Sequence, residues 1–314
     1  MSINHLDNLK NTISLVHGDA GKEWWQRLPQ FLENLARTQG LTLLAPFEHL
    51  SFNYVLPVLG SKGEDWVLKV SVPHDEFSRE IHALRHFNGR GSACLIDANP
   101  EEGWMLIERL LPGTRLVDAL DEQQAIPIAV SVMQRLWSPV TEPQLFISLE
   151  EWLRSLKQLD TQASLQQLVG KKLRDFVIGR AKELISSQGE PVLLHGDLHH
   201  YNILQHQSEW LAIDPKGIIG EREFEIGAFL RNPFCVVEDP QETKEIARNL
   251  DLIIELTGFD WQRVLSWCIV HAVLCVCWYC EDNMVDKAHQ LTAYAERLYS
   301  LLVHKNKDLN VKNK

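Results

Sequence analysis

Positive charge is scarce in this chain. Its 314 residues carry 31 lysines and arginines against 42 aspartates and glutamates, a formal net charge of −11. A protein that neutralises a phosphate backbone needs a basic stripe, so nucleic-acid binding is not expected. The N-terminus, MSINHLDNLKNTISLVHGD, has no charged-then-apolar pattern, and secretion by that route is not expected. Cysteine is present but does not form a spaced framework. The six stand at 94, 235, 268, 275, 277 and 280, four of them crowded into one apolar segment, which fits a reducing cytoplasm. There is no internal repeat and no low-complexity tract.

A single apolar run, VLSWCIVHAVLCVCWYC (264–280), approaches the length of a membrane span. It is slightly short, carries His271 inside, and ends at Glu281-Asp282 without basic flanks. The expectation is a buried helix, with no membrane partner. Cys268, His271 and Cys275 share a helical face there. Free cysteine is among the most buried residue types, so the face reads as core rather than as a metal site.

The remaining pattern is that of a soluble globular protein, 45% hydrophobic and 23% charged, long enough for two lobes. Residues 20–39 place Trp24, Leu28, Phe31, Leu32 and Leu35 at helical spacing before Gly40. Strands are expected at 52–58, 66–72, 93–98 and 104–108, with a helix at 76–87. After a connector near 108–116 the pattern is mainly helical, and the lysine-rich tail from 304 is expected to fray. The expected fold class is α+β: a small β-rich lobe, residues 1–110, and a larger helical lobe, residues 111–314.

The helical lobe is interrupted by LLHGDLHHYNIL (193–204) and, shortly after, LAIDP (211–215). His195, Asp197 and Asn202 form His-x-Asp-x-x-x-x-Asn, and Asp214 follows an apolar run. That is the layout of a kinase catalytic loop and its metal-binding aspartate. Phosphoryl transfer needs one carboxylate to orient the attacking hydroxyl and take its proton, and a second carboxylate with an amide oxygen to hold Mg2+ against ATP. Asp197, Asp214 and Asn202 supply these types in that order. Short strands before 195, after 202 and before 214 are expected to bring them to one edge. His17-Gly18-Asp19 repeats the triplet without the later Asn and is read as coincidence.

Other parts of such a site are present by type. Lys69, in the strand Val-Leu-Lys-Val, suits the α- and β-phosphates, with Glu80 on the next helix as its partner and Glu76 as the competitor. The backbone at Glu108 is placed to meet an adenine edge. A glycine-rich phosphate loop is missing: residues 50–58 read LSFNYVLPV. Ser51 and Asn53 are left to meet phosphates there, and the choice of nucleoside triphosphate stays open. Gly196 stands where many protein kinases have an arginine, and no Ala-Pro-Glu follows Asp214. Both features favour a small-molecule kinase over a protein kinase. His199 and His200 read either as loop packing or as contacts to substrate or phosphate. Glu221, Glu223 and Glu225 read either as a solvated helix start or as capture of a cationic or polyhydroxyl acceptor.

With Trp66-Val-Leu-Lys-Val, Arg79-Glu-Ile-His-Ala-Leu-Arg, Leu106-Ile-Glu-Arg-Leu-Leu-Pro-Gly-Thr, Ile213-Asp-Pro-Lys-Gly-Ile-Ile-Gly and Leu230-Arg-Asn-Pro, the chain resembles the aminoglycoside phosphotransferases of the protein-kinase-like superfamily. It is most similar to the branch of streptomycin 6-phosphotransferases and hydroxyurea phosphotransferases. The resemblance covers nearly the whole chain. It implies a two-lobe kinase-like fold and transfer of the ATP γ-phosphoryl group to a hydroxyl of a small molecule, an aminoglycoside or hydroxyurea. Catalytic roles fall to Asp197 and His195, nucleotide contacts to Lys69, Glu80, Ser51 and Glu108, and Mg2+ to Asn202 and Asp214. Lys216, Glu223 and Glu225 fall near the acceptor. A housekeeping kinase of a sugar or amino alcohol, and a non-catalytic nucleotide-binding protein, are the rival readings.

Overall fold

The computed structural model describes residues 3–48, 50–232 and 240–312, so Pro233 and Cys235 lie outside the described residues. The chain forms two compact units, Met1–Gly113 and Thr114–Lys314.

The first unit runs α1 (Ile3–Gln39), β1 (Thr42–Leu43), β2 (Tyr54–Leu59), β3 (Asp65–Val70), α2 (Asp75–Phe87), β4 (Leu95–Asn99) and β5 (Trp104–Glu108). The five strands make one sheet in the order β1-β2-β3-β5-β4, with antiparallel pairing throughout. Side chains alternate across a sheet, so each strand feeds two cores. Leu68 and Val70 of β3 join Leu56, Val58 and Leu106 against Leu28, Leu32 and Leu35 of α1. Met105 and Ile107 of β5 face the other way, against Phe77, Ile81 and Leu84 of α2, with Val67 beside them. Helix α1 starts seventeen residues earlier than its periodicity indicates. Gly18 breaks the helical dihedrals (φ 58°, ψ −132°), which hides the earlier turns from a periodicity count, yet Leu9 and Ile13 one turn apart are fully or almost fully buried.

Strand β6 (Pro112–Arg115) leads into the second unit. There follow α3 (Leu116–Ala119), α4 (Glu122–Leu136), β7 (Ile147–Ser148), α5 (Leu149–Trp152), a 3-10 stretch (Leu153–Asp160), α6 (Ala163–Leu168) and α7 (Lys171–Ser186). Next come β8 (Val192–Leu194), β9 (Ile203–His206), β10 (Glu209–Ala212), β11 (Ile218–Gly220), a 3-10 turn (Arg222–Glu225), α8 (Ile226–Arg231), α9 (Pro240–Thr257), α10 (Trp261–Glu281) and α11 (Val285–Lys312). The apolar run is α10. Its residues from Val264 to Cys277 are buried, and it packs against α7, α8 and α11, which makes it the central core helix of this unit. Asp260 caps it by accepting the Arg263 N–H at 2.7 Å. The last helix, α11, extends through Lys312.

The expected strands around the catalytic motif exist but serve different sheets. β8 pairs with β11, and β11 pairs with β7. β9 pairs with β10 in an antiparallel hairpin whose turn residue Gln207 takes φ 53°. The loop 195–202 therefore bridges two small sheets.

Candidate active site

In the first unit, strand alternation sends Lys69 to the α2 side of the sheet. Helical spacing puts Glu80 in the same stripe as Phe77, Ile81 and Leu84. The two side chains meet there. Lys69 Nζ lies 2.6 Å from Glu80 Oε1 and 2.8 Å from Oε2, with side chains only 5% and 10% exposed. Two charges that far from water persist only as a hydrogen-bonded pair. The Glu108 side chain, by contrast, is turned back into the sheet. Its Oε2 accepts the Cys94 N–H at 3.2 Å, and its own N–H donates to Cys94 O at 2.9 Å. Ser51 is exposed, at the bend before β2.

In the second unit, His195 is fully buried and both ring nitrogens are committed. Nδ1 accepts the Asp197 N–H at 3.3 Å, so Nε2 carries the proton and donates to Ile213 O at 2.7 Å. Its own carbonyl accepts the Lys216 N–H at 2.7 Å. Burial lowers its pKa to about 4, against the pull of the Ile213 carbonyl and Asp197. These bonds tie the loop to the Asp214 segment, which supports a positioning role for His195 in place of the catalytic one expected for it.

Asp197 is partly exposed, and its backbone oxygen accepts Asn202 Nδ2 at 3.0 Å. The Asn202 N–H donates to His199 O at 2.9 Å, and the Asn202 carbonyl accepts the Ile213 N–H at 3.0 Å, extending the β9–β10 ladder by one step. Asn202 and Asp214 thus leave the same end of the hairpin, with Asp214 in the left-handed region (φ 61°). A non-glycine residue held at positive φ is uncommon and clusters at functional sites.

Gly196 explains the missing arginine. Its φ is 85°, and a Cβ would fall 2.8 Å from Ile218 Cγ1, so a side chain here would strain the backbone and push Ile218 aside. The bared backbone is used instead: Glu225 Oε1 accepts the Gly196 N–H at 2.8 Å and Oε2 accepts the His195 N–H at 2.7 Å. Glu225 is 1% exposed, and burial lifts its pKa to about 7 while the backbone donors pull the other way. Burial and these two backbone bonds argue against the acceptor-facing role expected for Glu225 and for an anchor of the loop instead. Glu221 is also buried, paired with Arg263 at 2.6 Å and bonded by the Trp267 indole N–H. Only Glu223 of the acidic run stays half-buried, its pKa raised chiefly by desolvation.

His200 is packing. Its ring stacks on Phe229 at 4.1 Å and Nε2 sits 3.1 Å from Glu122 Oε1 at the start of α4. The ring of His199 is mostly buried and faces Asp197, and burial holds its pKa below the ordinary value. The Lys216 side chain is half-buried just beyond Asp214. The sequence offered Glu225 as an acceptor contact and not as an anchor. Its signal was an acid inside an otherwise apolar stretch, Phe224-Glu225-Ile226-Gly227-Ala228-Phe229-Leu230. Cys268, Cys275 and Cys277 of α10 are buried in the core, and Cys280 is half-buried.

Comparison with known proteins places this geometry. A family model described as aminoglycoside/hydroxyurea antibiotic resistance kinase matches residues 46–283. Hydroxyurea phosphotransferase of Kitasatospora aureofaciens is 31% identical, over 90% of this chain and 82% of its own length. Streptomycin 6-kinase of Streptomyces glaucescens is 29% identical, over 85% of this chain and 87% of its own. A thermostable mutant of aminoglycoside phosphotransferase APH(4)-Ia, solved as a ternary complex with ADP and hygromycin B, superposes with a TM-score of 0.57 at 14% identity. That match covers 86% of this chain and 97% of the other, and it speaks to the fold, which is protein-kinase-like. The chain belongs to the aminoglycoside/hydroxyurea antibiotic resistance kinase family.

Proposed function

We propose that the protein transfers the γ-phosphoryl group of ATP to a hydroxyl of a small antibiotic-like acceptor, an aminoglycoside of the streptomycin type or hydroxyurea. The observation that carries this reading is the bonding of Asp197, Asn202 and Asp214 into one loop-and-hairpin unit by Asn202 Nδ2 to Asp197 O and Ile213 N to Asn202 O. Both curated relatives described above are phosphotransferases by name, one toward streptomycin and one toward hydroxyurea.

The roles follow from position. Asp197 orients the acceptor hydroxyl and takes its proton as the acceptor oxygen bonds to Pγ and the bond from Pγ to the ADP oxygen breaks. Lys69, held by Glu80, offsets charge on the α- and β-phosphates, and Ser51 meets phosphate from the bend before β2. The Glu108 side chain is engaged with Cys94, so recognition of the adenine edge falls to the backbone that follows it. Lys216 and Glu223 are the residues proposed to face the acceptor.

The residues fit a divalent cation. Asn202 commits its amide nitrogen to the Asp197 carbonyl, which leaves the oxygen as the end for a hard cation, and Asp214 adds a carboxylate. Two protein oxygens, completed by phosphates and water, are what Mg2+ usually takes. Bound there, the ion would offset the negative charge on the β- and γ-phosphates. A cytoplasmic location, where ATP is abundant, completes the proposal.

The test is a coupled assay of purified protein with ATP and Mg2+ against streptomycin, hygromycin B, hydroxyurea and a set of small alcohols and sugars. Phosphorylation of streptomycin or hydroxyurea is the expected result. Turnover of a sugar or amino alcohol alone would establish the metabolic-kinase reading instead.

A further inference from the structure

We propose that His199 is a positioning residue for Asp197: its Nε2–H addresses Asp197 Oδ2 and fixes which carboxylate oxygen meets the acceptor hydroxyl. The inference rests on the reading of Asp197 as proton acceptor.

The two adjacent loop histidines have different surroundings. His200 is taken up by Glu122 and by the face of Phe229. The Nδ1 of His199 accepts the Tyr201 N–H at 3.3 Å, which assigns the ring proton to Nε2. That Nε2 lies 3.7 Å from Asp197 Oδ2, with side chains 17% and 32% exposed. The ring stands edge-on to Tyr201 at a centroid distance of 5.8 Å. The separation is longer than a hydrogen bond. Catalytic hydrogen bonds are often long in ligand-free sites and tighten once substrate is bound.

A positioning group is needed here. The terminal torsion of an aspartate is broad and roughly two-fold, so its oxygens exchange easily. The hydrogen bonds that fix Asp197 in the loop address its main chain: its N–H goes to His195 Nδ1 and its carbonyl to Asn202 Nδ2. Among the described residues, the polar side chain placed against the carboxylate itself is His199. A donor on Oδ2 leaves Oδ1 with its lone pairs toward the acceptor. Misplacement of a reacting group by about 1 Å can cost about 10²-fold in rate, which sets the scale of the effect.

Two substitutions separate a donor from a packing ring. His199→Gln keeps an amide N–H at about the reach of Nε2 but loses the ring. His199→Phe keeps a flat ring and loses the donor. Thermal melts check that both fold, and kinetics with ATP and streptomycin or hydroxyurea give kcat and both KM values. The expected result is His199→Gln within a few-fold of wild type in kcat and His199→Phe lower by about 10- to 100-fold, with KM for ATP unchanged in both. Activity retained by Phe and lost by Gln, equal loss in both, or no loss in either overturns the proposal. Asp197→Ala is run beside them. If it keeps wild-type kcat, the reading of Asp197 fails and the inference falls with it; if it is inactive, the histidine ordering alone decides. Should the wild type phosphorylate neither acceptor, the same ordering is read on ATP hydrolysis, with water as the acceptor.

Discussion

Glu225 Oε2 accepts the backbone N–H of His195 at 2.7 Å, joining two buried residues thirty positions apart. The other oxygen takes the N–H of Gly196, so the start of the catalytic loop hangs from one carboxylate. Replacing Glu225 with glutamine puts an amide N–H2 where an acceptor is required. It should destabilise the protein by about 1–3 kcal/mol, the cost of a buried donor left unmet. It should also lower kcat more than KM for ATP. Urea denaturation with steady-state kinetics checks both; unchanged stability would rule out the anchor.

The same pair predicts a pH signature. The Glu225 pKa is raised to about 7, so its stabilising contribution is complete below the ordinary carboxylate value and is lost as pH rises through 7. The His195 pKa is lowered to about 4, so its contribution is complete above the ordinary imidazole value of 6.5 and is lost as pH falls toward 4. Between about pH 4.5 and 6.5 the two act in opposite directions and partly cancel. Glu225→Gln removes one side of that balance. Its denaturation midpoint should fall more steeply on acidification through this window than that of the wild type, and parallel slopes would count against the assignment.

Asp197→Ala should abolish phosphoryl transfer and leave nucleotide binding near wild type, since it removes a proton acceptor and no phosphate contact. General-base catalysis is typically worth about 10²–10⁴-fold. A variant that keeps more than about a hundredth of wild-type kcat excludes Asp197 from that role.

Asp214→Asn should lose Mg2+-dependent nucleotide affinity as well as turnover, because an amide lacks the negative charge that hard cations favour. Asn202→Ala should show a milder loss. Calorimetry with ATP, with and without Mg2+, reads this directly, and normal Mg-ATP affinity in Asp214→Asn would remove Asp214 from the metal site.

Breaking the buried Lys69–Glu80 pair from one side leaves a lone charge out of water. Lys69→Met should therefore destabilise the protein by about 3–5 kcal/mol and weaken ATP binding. The double variant Lys69→Met/Glu80→Gln should cost less than the sum of the singles, as coupled neighbours do. Strict additivity in denaturation would mean that the two do not act as a pair.

With Glu221 and Glu225 committed inside the protein, a polycationic acceptor should depend on Glu223. Glu223→Lys should raise KM for streptomycin and leave KM for hydroxyurea and ATP unchanged. The streptomycin KM of the wild type should rise with salt as the Debye length falls from about 10 Å at 0.1 M to about 3 Å at 1 M. No response of streptomycin KM to either change would remove Glu223 from the acceptor site.

The sequence by itself determined the elements and the chemistry. Periodicity of 2 and 3.6 located four of the sheet's five strands, α2 and the buried helix α10, because burial on one face leaves its mark on local order. The spacing of Asp197, Asn202 and Asp214 named the reaction, because phosphoryl transfer constrains residue type and order. Tertiary structure decided what long-range burial controls. Glu225 and Glu223 are the same residue type two positions apart, yet one is sealed against the backbone of His195 and Gly196 while the other stays half-buried. Nothing local separates His199 from its neighbour His200, but Phe229 and Glu122, from helices distant in the chain, claim only the second. Gly196 read as a missing arginine, whereas its positive φ and the packing of Ile218 against it make any side chain there costly. A residue's type limits what it can do. Which partner it meets depends on how separate segments exclude water from one another, and a local pattern does not carry that information.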